Sequence, residues 1–111
     1  TIVRAISGEG GTSLPDHPEN RLNGRLRGWA WFDGTFTWIE PTAWCLLALK
    51  RWRTISNAAR LRVLAGEAVL RDRACIEGGW NYGNANVYGA DLPAHAPTTA
   101  IGILALQDRT G

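Results

Sequence analysis

The sequence predicts an all-α fold built from αα-hairpin repeats, and three observations lead to that prediction. An aromatic, glycine-rich motif occurs twice, as Gly28-Trp29-Ala30-Trp31 and as Gly79-Trp80-Asn81-Tyr82. An apolar block that begins with Thr-Ala also occurs twice, at Thr42-Ala43 and at Thr99-Ala100. The segment between the two copies has apolar residues at three- and four-residue steps, as an amphipathic helix does. Because both motifs recur in the same order, we interpret the chain as a repeat architecture.

The composition excludes several classes of function. Of the 111 residues, 45% are hydrophobic and 20% are charged, a balance that disfavours a disordered chain. The charges sum to only +2 and are scattered, so we expect no nucleic-acid partner and no polybasic membrane anchor. No apolar run approaches the roughly 20 residues of a membrane-spanning helix, so we expect no transmembrane segment in this piece. Cys45 and Cys75 fit no disulfide or zinc pattern, and we expect reduced thiols in the core.

Residues 1–27 are predicted to form an irregular lead-in, because glycines and prolines interrupt any periodicity there. Their first six residues are compatible with the end of a helix from a preceding repeat. The chain begins without Met and stops soon after its last apolar block. We therefore expect a fragment of a longer protein, whose remaining repeats would be its partners.

Repeat one is predicted over residues 28–76, with an inner helix followed by an outer helix. Pro41 marks the start of a helix from about Thr42 to Arg53, since proline is tolerated in the first turn. That helix is apolar on nearly all sides and should be enclosed in an inner layer. After a cap at Ser56-Asn57, an outer helix should run to about Cys75. Its predicted buried face comprises Leu61, Leu64, Ala65, Ala68 and Cys75, with Glu67 and Arg71 paired on the polar face.

Repeat two is predicted over residues 77–111 as a partial copy, with a Gly-Gly-Trp loop and one inner helix. The helix should run from about Thr98 to Gln107. The Trp motifs are offset by 80 − 29 = 51 residues and the Thr-Ala blocks by 99 − 42 = 57. The second copy therefore has six more residues between motif and helix, most simply placed at Tyr88 to Ala96.

These motifs resemble the helical repeat of squalene–hopene cyclases and protein prenyltransferase β-subunits. The resemblance covers about Arg27 to Asp108 and includes Gly66-Glu67-Ala68-Val69-Leu70 and Cys75-Ile76-Glu77-Gly78-Gly79-Trp80. It implies an α/α toroid, in which two concentric rings of helices surround a cavity that holds an isoprenoid chain. Two units would form an arc of such a ring. The structural repeat motif comprises Gly28, Trp29, Thr42, Ala43, Gly79, Trp80, Thr99 and Ala100.

The catalytic motifs of those families do not carry over to this chain. The cyclases place an Asp-x-Asp-Asp acid directly before a Thr-Ala helix start, where this sequence has Glu40 before one block and no carboxylate at 95–98 before the other. Asp72, Cys75 and His95 are the residue types that bind zinc in prenyltransferase β-subunits, but their spacing does not match. We assign no catalytic residue, metal or cofactor. If the parent is an enzyme, the resemblance favours an isoprenoid cyclase over a prenyltransferase.

Five residues near the starts of the inner helices are candidate ligand-binding residues, each with a structural alternative. Aromatic rings at a cavity can stabilise a cation or stack on a ligand, and they can equally be packing residues. Glu40 is either a polar group at the cavity mouth or a favourable charge at a helix N-terminus. His95 is either a general acid or base or an ordinary loop residue. The candidates are Trp38, Glu40, Trp44, Tyr88 and His95.

We therefore predict part of a terpenoid cyclase-like or prenyltransferase-like protein that acts on or binds a polyisoprenoid lipid in an aromatic cavity. The alternative is a non-catalytic toroid scaffold that binds protein, glycan or lipid. A cytoplasmic or peripheral-membrane location is favoured. The excess of Arg over a single Lys is typical of a GC-rich bacterial coding sequence.

Overall fold

A computed structural model of the chain describes residues 22–23, 25–31, 36–52, 56–87 and 90–107. Within these ranges the chain forms α1 (Ile39–Trp52), α2 (Asn57–Asp72), β1 (Asn86–Val87), β2 (Ala90–Asp91) and α3 (Ala96–Leu106). The central helix α1 packs against both α2 and α3. This mostly helical architecture agrees with the all-α prediction. Most of the predicted lead-in lies outside the described residues, and the repeat boundaries at 28–76 and 77–111 remain a prediction.

The three predicted helices are present, and each start has a local chemical reason. Helix α1 begins at Ile39 rather than Thr42, which places Pro41 in the first turn, where no intrahelical N–H is needed. Ser56 caps α2 as predicted, because its hydroxyl accepts a hydrogen bond from the Ala59 N–H at 3.1 Å. Helix α2 ends at Asp72, before the predicted end at Cys75. Helix α3 has Pro97 in its first turn.

The two short strands pair antiparallel, with Asn86 opposite Asp91. The Asn86 side-chain amide donates to the Asp91 carboxylate at 2.8 Å and closes the hairpin. This hairpin occupies the longer second loop, where the sequence has its six additional residues. Among the described helices, none is both long enough and apolar enough to cross a membrane.

Helix α1 is buried along one side rather than all round. Its fully buried apolar residues follow three- and four-residue steps at Ile39, Ala43, Leu46 and Leu49. Trp44 is 55% exposed, so the described residues alone do not enclose the helix on every side. Its enclosure by further repeats stays a prediction. The buried side is the one that α2 and α3 cover, and the apolar surface around Trp44 faces outward.

The predicted buried face of α2 is wrong for its two leucines, whereas Cys75, just beyond the end of the helix, is buried as predicted. Leu61 and Leu64 are 67% and 62% exposed. The residues that pack inward are Ala59, Val63, Gly66, Glu67, Val69 and Leu70. The prediction places Glu67 on the polar face. Its carboxylate is in fact buried against Lys50, on the side of the helix that also holds Val63 and Leu70.

The buried partner of Glu67 is Lys50, the only lysine of the chain. Its ammonium group donates to the Glu67 carboxylate at 2.9 Å. It also donates to the backbone carbonyls of Ala105 and Gln107 at the end of α3. One positive charge thus joins all three helices and satisfies carbonyls that a helix C-terminus leaves without partners. The prediction that Glu67 pairs with Arg71 on an exposed polar face is wrong, because the Glu67 carboxylate is buried and bonded to Lys50.

Both cysteines are free thiols, Cys75 buried and Cys45 half-buried. Burial raises the pKa of the Cys45 thiol to about 11, and the positive charge of Arg62 opposes that shift. A raised pKa means that the folded chain holds this thiol protonated above the pH at which the unfolded chain releases its proton.

The contacts of Lys50 with Glu67 and with the carbonyls at the end of α3, which we call the three-helix junction, predict a large loss of stability when the lysine charge is removed. Lys50→Met should lower the free energy of unfolding by about 3 to 5 kcal/mol, because it leaves the Glu67 carboxylate buried without a counter-charge. Urea denaturation measures this change. Arg51→Met, at the exposed neighbouring position, is the control and should cost less than about 0.5 kcal/mol. Equal stability of both variants would contradict the junction.

The Cys45 thiol predicts a loss of stability in alkaline solution. Below its ordinary pKa of 9.0 the thiol is protonated in both states, so it contributes no pH dependence. As the pH rises from 9.0 toward about 11, the unfolded thiol ionises first and the folded state loses stability. The urea midpoint should therefore fall more between pH 8 and pH 10.5 in the wild type than in Cys45→Ala. An equal fall of the midpoint in the two proteins would contradict the burial of this thiol.

Candidate functional site

The same pair of hydrogen bonds fixes each Gly-Trp loop to the start of a helix. The Trp29 N–H donates to the Thr42 hydroxyl at 2.9 Å, and that hydroxyl donates back to the Trp29 carbonyl at 3.3 Å. The Trp80 N–H donates to the Thr99 hydroxyl at 2.9 Å, and that hydroxyl donates to the Trp80 carbonyl at 3.2 Å. We call this arrangement the threonine clamp. It ties one loop to the first turn of α1 and the other to the first turn of α3.

Each clamp requires a glycine directly before the tryptophan. A Cβ atom at Gly79 would lie 2.6 Å from the Thr99 hydroxyl, and the backbone there has a φ of +79°. A Cβ atom at Gly28 would overlap the Thr42 hydroxyl. Since a side chain at either position would displace the threonine, the Gly-Trp pairs are needed for close approach of the backbone.

The first tryptophan of each motif is a core residue. Trp29 is 6% and Trp80 is 8% exposed. The Trp80 indole N–H donates to the Leu70 carbonyl at 2.7 Å, which joins the second loop to the end of α2. The guanidinium of Arg62 lies 4.1 Å from the centre of the Trp29 ring and also donates to the Gly28 carbonyl at 2.8 Å. Of the two motif alanines, Ala43 is buried and Ala100 is exposed.

The second aromatic of each motif faces the opposite way. Trp31 is 56% exposed and Tyr82 is 62% exposed. Each lies two residues after a buried tryptophan, at the point where the loop leaves its clamp. Together with Trp38, which is 36% exposed, they form the walls of two neighbouring clefts.

The first cleft, which we call the histidine cleft, has a volume of about 350 Å³. The rings of Tyr82 and His95 meet edge to face, with centroids 4.7 Å apart. The backbone N–H of His95 donates to the Trp80 carbonyl at 2.7 Å, and this bond holds His95 beside the second Gly-Trp loop. Its ring nitrogen Nδ1 is buried and has no hydrogen-bond partner among the described residues. The cleft is lined by Trp38, Asn81, Tyr82, Gly83, Asn84, Leu92, Pro93 and His95.

Asn81 contributes to the shape of the histidine cleft rather than to its polarity. Its side-chain NH₂ donates to the carbonyls of Asn84 at 2.7 Å and Pro93 at 3.3 Å. Its side-chain oxygen accepts from the N–H groups of Gly83 and Asn84, each at 3.0 Å. Because these bonds are all within the loop, the amide is used to fold the turn. The exposed walls are mainly rings and aliphatic carbon.

The second cleft, which we call the glutamate cleft, also has a volume of about 350 Å³ and is lined by Trp31, Trp38, Glu40 and Tyr82. Backbone hydrogen bonds fix its walls. The Trp38 N–H donates to the Trp29 carbonyl at 3.0 Å, and the Ile39 N–H donates to the Tyr82 carbonyl at 3.0 Å. Glu40 lies in the first turn of α1, directly after the fully buried Ile39.

The structure brings three of the five candidate residues together. Trp38 lines both clefts, Glu40 lines one and His95 lines the other. Trp44 lines neither cleft, and Tyr88 lies outside the described residues. The sequence reasoning missed Trp31 and Tyr82 as cleft residues. The signal was available, since both occupy the same position of the repeated motif.

The zinc-type residues have other roles in the structure. Asp72 pairs with the side chain of Arg73, and its carboxylate accepts from the Asn23 N–H at 2.9 Å. The Cys75 N–H donates to the Gly79 carbonyl at 2.8 Å. Within the described ranges, no three His, Cys, Asp or Glu side chains lie close enough together to hold a metal ion.

The threonine clamp predicts that one hydroxyl group has a measurable effect on stability. Thr42→Val keeps the shape of the side chain but removes both hydrogen bonds to Trp29, so the free energy of unfolding should fall by about 1 to 3 kcal/mol. Thr42→Ser keeps the hydroxyl and is the control. Urea denaturation measures the free energy of unfolding of both variants. A serine variant less stable than the valine variant would show that packing of the methyl group, rather than the clamp, is what matters.

Comparison of the chain with protein-family models, with curated proteins and with solved structures finds no match. The resemblance to the cyclase and prenyltransferase repeat therefore remains a prediction from the motifs.

Proposed function

We propose that this chain is an arc of an α/α toroid and that its histidine cleft binds a polyisoprenoid. The observation on which the proposal rests is the chemistry of the cleft. Its walls present the rings of Trp38 and Tyr82 with the aliphatic carbon of Leu92 and Pro93, and Asn81 is already bonded within its loop.

A hydrocarbon ligand suits such walls. Covering apolar surface contributes about 25 cal/mol per Å², so an isoprenoid chain lying across partly exposed rings is stabilised without needing polar partners. A glycan has many hydroxyl groups, and each one buried without a partner is costly. The histidine cleft offers few free polar atoms, and this favours a lipid over the glycan of the alternative hypothesis.

The toroid part of the proposal is supported by the packing of the inner helices. Helices α1 and α3 lie side by side, and each begins at a threonine clamp. Trp44 on α1 and Ile103 and Leu104 on α3 remain 44% to 55% exposed. Further repeats or a central cavity would cover such apolar surface in a ring. The proposal concerns binding, and the acid of a cyclase reaction would come from outside this chain.

Farnesol, a short polyisoprenoid alcohol, is the probe for this proposal. Trp38→Ala should weaken its binding by about tenfold or more, because it removes a large ring from the cleft wall. Leu92→Ser should weaken it less, since Leu92 forms a smaller part of the same wall. Trp44→Ala removes a more exposed tryptophan that lines neither cleft and is the control. Isothermal titration calorimetry on the full chain gives the dissociation constants.

Absence of farnesol binding, or equal losses in Trp38→Ala and Trp44→Ala, would contradict the proposal. Maltohexaose, titrated in parallel, tests the alternative. Binding of the oligosaccharide in place of farnesol would support a glycan-binding scaffold.

A further inference from the structure

We propose that the glutamate cleft is a separate binding site for a trimethylammonium group. This inference does not rest on the proposed function, since it concerns a different cleft and a different ligand chemistry. The described residues give the cleft three aromatic walls, Trp31, Trp38 and Tyr82, and one carboxylate, Glu40. Among the residues that the structure describes, no lining residue carries a positive charge.

The three rings supply the first part of the recognition. The face of an indole or phenol ring is electrically negative, and a cation within about 6 Å of the ring centre is attracted to it. The three rings are 36% to 62% exposed, so their surfaces are open to a ligand. A cluster of several large exposed aromatic residues around one concavity is typical of a binding site.

The carboxylate supplies the second part and selects charge. The N-terminus of α1 carries roughly half a positive charge, which by itself would disfavour a cation. The full negative charge of Glu40, in the first turn of that helix, outweighs it. The net potential of the cleft therefore favours a cation.

The same wall chemistry discriminates among cations. A primary ammonium has three N–H donors, and burying them with one carboxylate as the acceptor leaves donors without partners. A trimethylammonium group has no N–H donor, and its methyl groups pack directly against the rings. The cleft therefore suits the methylated cation better than a lysine-type ammonium.

The walls are preorganised by hydrogen bonds of the backbone. The bonds from Trp38 to Trp29 and from Ile39 to Tyr82, each 3.0 Å long, hold two ring-bearing segments against the start of α1. A cleft that is already formed loses little entropy when a ligand binds.

Choline and its neutral carbon isostere, 3,3-dimethylbutan-1-ol, form the test pair. They have nearly the same shape and differ in charge. By isothermal titration calorimetry on the full chain, choline should bind about tenfold or more tightly than the isostere. Glu40→Gln should remove most of that difference by weakening choline alone. Glu77→Gln, an exposed carboxylate outside this cleft, is the matched control and should leave both affinities unchanged.

A second variant keeps the test independent of Glu40. Trp31→Ala changes an exposed residue, so the fold should tolerate it, and it should weaken choline binding by about tenfold. A peptide with one trimethyllysine, titrated beside choline, distinguishes a protein-borne source of the cation from a free small molecule, and binding of either supports the site.

Three results would overturn the proposal: no binding of either cation, equal binding of choline and its isostere, or the same effect of Glu40→Gln and Glu77→Gln. Farnesol titrated into Glu40→Gln separates the two proposals, because Glu40 does not line the histidine cleft. Farnesol binding should be unchanged in that variant even where choline binding is lost.

Discussion

The hydrogen bonds between a threonine hydroxyl and the backbone of a Gly-Trp loop determine most of this structure. Thr42 is fully buried, and its hydroxyl both accepts from and donates to Trp29. Thr99 makes the same pair of bonds with Trp80. The constraint fixes the direction of each loop where it meets its helix. With the first aromatic directed into the core, the second aromatic, two residues later, lies at the surface. Both clefts are consequences of that geometry.

The helices themselves were largely predictable from the sequence, but the way α2 packs was not. Proline at the start of α1 and Ser56 before α2 indicated local boundaries that the structure has to within a few residues. The buried face of α2 depended on a pairing between distant residues. Lys50 and Glu67 are buried together, and the side of α2 that packs inward also holds Val63 and Leu70. Leu61 and Leu64 lie outside that side and are exposed. Periodicity describes one helix at a time and contains no information about such a partner.

Only part of the candidate site could be predicted from the sequence, and the reason is similar. Trp38, Glu40 and His95 were identified because they lie near the helix starts, and the structure places them at the clefts. Trp44 is also near a helix start, but it lies one turn further on and lines neither cleft. Trp31 and Tyr82 belong to the repeated motif, but the motif itself does not show which of its aromatics turns to the surface. The alternation of a buried and an exposed aromatic becomes visible only when the clamp fixes the direction of each loop.

The two proposed ligands use the shared wall of Trp38 and Tyr82 in different ways, through apolar contact in one cleft and through charge in the other. Both depend on loops that are held rigidly against α1 and α3. Native-state amide hydrogen exchange tests this most directly. The Trp29 and Trp80 amides should exchange as slowly as that of Leu46 in α1, and Thr42→Val should accelerate Trp29 more than Trp80 or Leu46. Exchange of the two tryptophan amides at the rate of open loops would contradict the account.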